Sequence, residues 1–411
     1  MTPLERFDPE IGAIIERERA RISDTLNLVA AEHHPPPAVL AALGSVLHAK
    51  TIEGYPGRRF HGGCVNADRI ESLAVSRAAA LFNADHVNVQ PHSGTAANLA
   101  VLFGLLSVGD RVLAMDLAHG GHLSHGHRAS ITSRCFSFQH YGVDPATEVI
   151  DYAAVAEQAR LYRPRMIIAG ASSYPRCMDY ERLSEIARET GALFFVDMAH
   201  IAGLVAAGVI ASPVPFADAV TFTCYKTMGG CRGGMILSKQ AHAKRIDAAI
   251  FPGCQGTSAV DVMAAKAVTF KMAGTAEFIT LQKNTVANSK RLAQGLSRAG
   301  YRIVTGGTDT HQVLVDVSAK GIDGAWAQER LESVGLVTNR NAIPADAGRQ
   351  TRVSGVRLGT AAVSARGMGP AEMDTIAAVF DAALSGLSAA AGISAREDVL
   401  SLCRRHPVAG L

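Results

Sequence analysis

Between residues 66 and 240 two kinds of apolar spacing take turns along the chain. Short unbroken apolar runs, rich in β-branched residues, stand at 86–90, 111–115, 135–139, 166–170, 193–197, 219–224 and 233–237. Runs of that length read as buried strands. Longer segments with apolar residues every three or four positions separate most of them, among them 66–83 and PHSGTAANLAVLFGLL. Strands alternating with helices predict an α/β domain with a mainly parallel, seven-stranded sheet. Upstream, residues 1–25 read as an arm helix. The run Pro35-Pro36-Pro37 forces an extended turn before a helix from about Ala38. Downstream, an amphipathic helix over 276–298 leads into a smaller α/β segment, with strands near 302–306 and 312–317 and a helix near 323–334. The pattern divides the chain into an arm (1–25), a large domain (26–278) and a small C-terminal domain (279–411), hinged on that long helix.

Charge narrows the partners. The 411 residues carry 40 Lys and Arg against 37 Asp and Glu, a formal +3. This gives no electrostatic case for nucleic acid or a membrane surface. The seven cysteines are scattered and form no C-x-x-C pair, which fits free thiols in a reducing, cytoplasmic setting. The charged start, MTPLERFDPEIGAIIERERAR, reads as neither a signal peptide nor a membrane span.

Candidate chemistry gathers at the carboxyl ends of the expected strands, where ligands sit in such sheets. In DAVTFTCYKTMGGCRGG the strand ends at Lys226 and a glycine-rich turn follows. A lysine there has its stem held by the sheet and its amine in a cleft. Partial burial frees such an amine as a nucleophile, above all for a Schiff base with a carbonyl such as pyridoxal phosphate (PLP). The alternative is a surface lysine at a strand end. Ser93-Gly94-Thr95 opens a helix, either as a phosphate cradle or as an ordinary N-cap. Asp197 ends LFFVD and either keeps a ring nitrogen protonated or caps the next helix. His119, His122, His125 and His127 crowd HGGHLSHGH. Their spacing makes no regular helical ligand pair and no cysteine joins them, so the expectation is no metal, with His122 stacked on an aromatic cofactor. Arg357 in SGVRLGT suits a carboxylate or a salt bridge. The loop EGYPGRRFHGG, with Glu53 and His61, is dense in reactive side chains.

Taken together, EGYPGRRFHGGC, NVQPHSGTAAN, MDLAHGGHLSHG, AGASSYPR, VDMAHIAGLVAAG, FPGCQG, NRNAIP and SGVRLGT resemble the serine hydroxymethyltransferase family, PLP enzymes of the aspartate-aminotransferase fold. The resemblance runs from about residue 8 to the C-terminus. It implies Lys226 as the Schiff-base lysine, Asp197 at the pyridine nitrogen, His122 on the ring, and Ser172 and His200 near the ring hydroxyl. It implies Ser93, Gly94 and Thr95 at the phosphate, joined from a partner subunit by Gly256 of FPGCQG and by position 51. Arg357 takes the substrate carboxylate. Glu53, from the partner, is the acid/base residue. Leu117, Gly121, Leu123 and Asn341 match folate contacts. A shared site implies a homodimer or a tetramer of dimers. The implied reaction is retro-aldol cleavage of the Cα–Cβ bond of a hydroxy amino acid, the one-carbon unit passing to tetrahydrofolate or leaving as formaldehyde.

The departures fall outside the PLP shell. The family's tyrosine on the phosphate side is Thr51, and its Tyr-Tyr before Gly-Gly is Phe60-His61. S-E-N is Ala31-Glu32-His33, which removes a serine near the substrate carboxylate. The residue before the lysine is Tyr225 rather than His. L-R-G-P is Met228-Gly229-Gly230-Cys231, and S-P-F-V-T is Arg349-Gln350-Thr351-Arg352-Val353. Four readings follow: a hydroxymethyltransferase for an α-substituted serine, with 2-methylserine favoured; a folate-independent β-hydroxy-amino-acid aldolase; an ordinary serine/glycine enzyme; and a PLP-binding protein without catalysis.

Overall fold

A computed structural model describes residues 2–346, 353–385 and 389–410 of the chain, with no side chains described for 389–391. The main sheet has seven strands: β1 (His86–Asn88), β2 (Arg111–Met115), β3 (Ser137–Tyr141), β4 (Met166–Ala169), β5 (Leu193–Asp197), β6 (Ala219–Thr223) and β7 (Gly234–Ser238). Their spatial order is β1-β7-β6-β5-β4-β2-β3. Every pairing from β6 to β3 is parallel, and β7 lies antiparallel between β6 and β1. Strands β4, β6 and β7 are buried at every position. That is the physical reason they read as unbroken apolar runs, since a sheet covered on both faces has no wet side to alternate toward.

β2 and β5 fall where the apolar pattern puts them. β3 begins two residues later than expected. Thr132–Cys135 is a helical turn, closed by the Phe136 N–H on the Thr132 carbonyl at 2.9 Å, and the ladder starts at Ser137. Phe136 is apolar because it is buried in the core, not because it lies on a strand. The arm is two helices, Pro3–Phe7 and Pro9–Asp24; the Asp8 side chain caps the second, accepting from the Ile11 N–H at 3.0 Å.

The helices that matter for the site are α1 (Val65–Phe82), α2 (Gly94–Leu105), which packs on β6 and β7, α3 (Val260–Ala273), which packs on α1, and α4 (Ala276–Arg298). Beyond them lies an antiparallel sheet of β8 (Arg302–Ile303), β9 (Gln312–Asp316), β10 (Asn339–Asn341) and β11 (Gly355–Gly359), in the order β8-β9-β11-β10. The apolar core under the main sheet reaches Phe278. A second core holds Leu292, Leu296, Val313, Leu358 and Phe380, so α4 contributes to both. Leu26 and Leu28 pack in the second core, and Leu26–Asn27 pairs in parallel with Leu336–Val337. Among the described residues no helix is long and apolar enough to cross a membrane.

Candidate active site

Lys226 leaves β6 into a loop that closes on itself. The Gly230 N–H donates to the Cys224 carbonyl at 2.7 Å and the Gly229 N–H to the Lys226 carbonyl at 2.9 Å. Helix α4 holds the loop from below, Gln282 Nε2 donating to the Thr227 carbonyl at 2.9 Å. The Lys226 side chain is 7% exposed and makes no hydrogen bond or ion pair among the described residues. Burial lowers its pKa to about 8; Asp197 acts to raise it and Arg357 to lower it further. That is the condition of a nucleophilic amine.

Asp197, at the end of β5, is held by its neighbours. Its Oδ2 accepts from Asn98 Nδ2 at 2.8 Å and lies 3.3 Å from His125 Nε2, and its Oδ1 accepts from the Ala199 N–H at 3.0 Å. Burial acts to raise its pKa. The hydrogen bonds from His125 and Asn98 and the nearby imidazoles outweigh this and hold the carboxyl well below its usual range. Asn98 is itself fixed, donating to Ser124 Oγ at 2.9 Å and accepting from Thr221 Oγ1 at 2.6 Å. His122 Nδ1 sits 2.7 Å from Ser124 Oγ. Burial lowers the His122 pKa to about 4, so its ring is neutral at pH 7 and able to lie on an aromatic face.

Ser93 caps α2, its Oγ accepting from the Ala96 N–H at 3.1 Å. The N–H groups of Gly94 and Thr95 have no acceptor among the described residues. They open on a cavity lined also by His122, His125, Ser172, Asp197, His200, Thr223, Tyr225 and Lys226. Three buried polar atoms of that lining, Thr223 Oγ1, His200 Nδ1 and His125 Nδ1, have no partner among the described residues. Burial holds the His200 imidazole far below its ordinary pKa, so it is a neutral group awaiting a hydrogen bond. A carboxylate, an amine of lowered pKa, a free helix N-terminus and unpartnered polar atoms around one cavity fit PLP at each of its polar ends.

Arg357 lies on β11 beside this cavity. Its Nε donates to Asn339 Oδ1 at 3.1 Å and its Nη1 to the Ser172 carbonyl at 2.6 Å. No carboxylate of the described residues pairs with it. Burial lowers its pKa to about 10, which leaves it charged and ready for an external carboxylate.

Glu53, Thr51, His61 and Gly256 are not in the cavity lining of their own chain. They share another surface. The Glu53 carboxylate lies 3.9 Å from where a Cβ on Gly256 would be. Thr257 Oγ1 accepts from the Ile52 N–H at 2.6 Å and donates to the Ile52 carbonyl. The rings of Phe60 and Phe251 are 5.7 Å apart. Thr51 and His61 are exposed. Ala31 is half-buried and also outside the lining.

Leu117 and His122 line a wide groove that continues from the cavity. Gly121 is buried, Leu123 is exposed, and Asn341 is half-buried, its Nδ2 donating to the Ala342 carbonyl at 2.5 Å. The Leu117–His119 turn packs against the Pro344–Asp346 turn that follows Asn341. Residues 349–352 of the edited pterin segment lie outside the described residues.

Sequence reasoning passed over His125, Asn98 and Thr223. Asn98 carried a signal, as a buried amide in the apolar helix TAANLAVLFGLL. His125 did not, since four histidines crowd one glycine-rich loop and only the folded chain aims one of them at Asp197.

A family model described as Serine hydroxymethyltransferase matches residues 4–380. A curated relative named serine hydroxymethyltransferase, from Desulforapulum autotrophicum, is 48% identical over 405 residues, 98% of this chain and 97% of that protein. Another of the same name, from Mycobacterium avium, is 47% identical over 411 residues, 99% of this chain and 96% of that protein.

Proposed function

The chain belongs to the serine hydroxymethyltransferase family, and on that premise we propose that it acts on 2-methylserine in preference to serine. As a member it is a PLP-dependent hydroxymethyltransferase. When bound, PLP supplies an electron sink for charge developing on the substrate's Cα. The chain's residues do the rest. Lys226, its pKa lowered to about 8 by burial, would hold the cofactor's aldehyde. Asp197 stays ionised and would keep a proton on the cofactor's ring nitrogen. Arg357 takes the substrate carboxylate and thereby sets which Cα bond stands ready to break. Glu53, supplied by a second copy of the chain, accepts the proton of the β-hydroxyl as the Cα–Cβ bond opens, and His61 shares that work.

The observation that carries the substrate preference is the pair Thr51 and His61, exposed on the loop that bears Glu53. Each stands where the family pattern has a tyrosine. Removing two phenol rings makes room for a substituent at Cα, and one methylene-sized difference is worth about 1–3 kcal/mol in discrimination. A substrate with a methyl at Cα has no proton to lose there, so its cleavage rests on the β-hydroxyl proton alone. The names of the relatives favour serine itself, which is the competing reading. Tetrahydrofolate, at Leu117, Gly121, Leu123 and Asn341, is the proposed acceptor. The division into a large domain (26–278) and a small one (279–411), and the homodimer or tetramer of dimers, belong to the same proposal. The test is kcat/KM for both amino acids under identical conditions, with and without tetrahydrofolate, detecting formaldehyde, alanine and glycine. A ratio favouring serine by about tenfold or more discards the preference.

A further inference from the structure

Helix α3 is apolar through VMAAKAVTF except for one charge, Lys266. That side chain is 1% exposed. Its ammonium donates to the carbonyls of Val89 at 2.6 Å, Pro91 at 3.0 Å and Gly234 at 2.8 Å. Three donors have three acceptors, so its hydrogen bonds are complete. Its charge is not matched. No carboxylate of the described residues pairs with it, and the buried Glu71 is already engaged by Arg59 and by Gln90 Nε2 at 2.8 Å. Burial disfavours the charged form. A leucine or methionine would fill an apolar helix position at less cost, so the position of the charge needs a reason.

The three carbonyls supply it. Val89 and Pro91 follow β1 and lead into the Ser93-Gly94-Thr95 turn, and Gly234 begins β7. The Gly234 N–H donates back to the Pro91 carbonyl at 3.0 Å. A Cβ on Gly234 would fall 2.1 Å from the Ser93 carbonyl oxygen, so β7 lies directly against the turn. Lys266 clamps both supports of the free Gly94 and Thr95 N–H groups and places a positive charge behind them. The N-terminal end of α2 is positive as well. Two positive sources with no carboxylate of the described residues paired to either call for an anion from outside.

We infer that Lys266 is a positioning residue for the phosphate end of the cofactor: it fixes the backbone of the cradle, and the bound phosphate is its counter-charge. The inference rests on the family's cofactor and not on the choice of amino acid, so no outcome below bears on 2-methylserine.

The experiment strips the enzyme of cofactor and measures dissociation constants for PLP and for pyridoxal, which has the aldehyde and ring without the phosphate. Lys266→Met is expected to weaken PLP by about tenfold or more and to change pyridoxal by less than about threefold. Equal weakening of both ligands, or a PLP constant within about threefold of wild type, overturns the inference, because general loosening of the sheet does not distinguish the two. If Lys266→Met does not fold, Gly233→Ala serves under the same criteria. Its new Cβ would lie 2.5 Å from Lys266 Cε and 3.0 Å from Nζ, which pushes the ammonium aside without removing it; the φ of +150° there strains an alanine as well, an effect common to both ligands, so the PLP-to-pyridoxal ratio is what decides.

Discussion

Replacing His125 with phenylalanine keeps a ring of similar size in a site that is 1% exposed and removes the donor facing Asp197 Oδ2 at 3.3 Å. Removing a donor from a buried carboxylate leaves it short of a hydrogen bond, which costs about 1–3 kcal/mol and more where the group is charged. Here the Asn98 amide and the Ala199 N–H stay on the carboxylate, so the loss is taken at about 2–3 kcal/mol. That is a factor of about 30 to 150 in the ratio of folded to unfolded chain. The sign with pH follows from the depressed Asp197 pKa. The carboxylate's contribution is complete above its unfolded value, about 3.9, and is lost as pH falls through the folded value. Without His125, burial acts to raise the folded pKa of Asp197, so the folded variant takes up that proton more readily and its deficit shrinks as pH falls. Urea unfolding of cofactor-free protein, at one protein concentration and at pH 7.5 and 5, reads both effects. The variant is expected to unfold at lower urea at pH 7.5, with a narrower gap from wild type at pH 5. Coincident midpoints at both pH values would refute the idea that His125 is what keeps Asp197 ionised.

Reductive alkylation of cofactor-free enzyme by a small aldehyde is expected to rise at Lys226 through about pH 8, where its amine loses its proton; an inflection above pH 10 at that residue removes the argument from burial. Coexpression of Glu53→Gln with Lys226→Ala is expected to restore activity in mixed dimers, since one of the two sites regains both residues, and verified heterodimers without activity count against a shared site. Calorimetric titration with glycine or alanine present is expected to show weak tetrahydrofolate binding, because His61 stands where the family has an aromatic phenol and stacking adds about 0.5–1.5 kcal/mol; submicromolar affinity for unmodified tetrahydrofolate contradicts this.

The pattern of apolar runs was enough for the α/β sheet, because a strand buried on both faces must be apolar throughout and the helices between must show one apolar stripe. It placed β2, β5 and α4 where they lie. Motif order along the chain was enough for the family, and strand ends were enough to locate Lys226, Asp197 and Ser93. Three things needed the folded chain. β3 starts at Ser137 and not at 135, because an apolar residue in a turn and one in a strand are the same letter when both are buried. His125 and not His122 faces the Asp197 carboxylate; which imidazole turns inward depends on how residues 119–127 wrap the end of the sheet. The purpose of Lys266 also emerged only in three dimensions. A single charge in an apolar helix is visible in the sequence, but its three acceptors stand 32 to 177 positions away, and only the folded chain brings the segment after β1 and the start of β7 to one nitrogen.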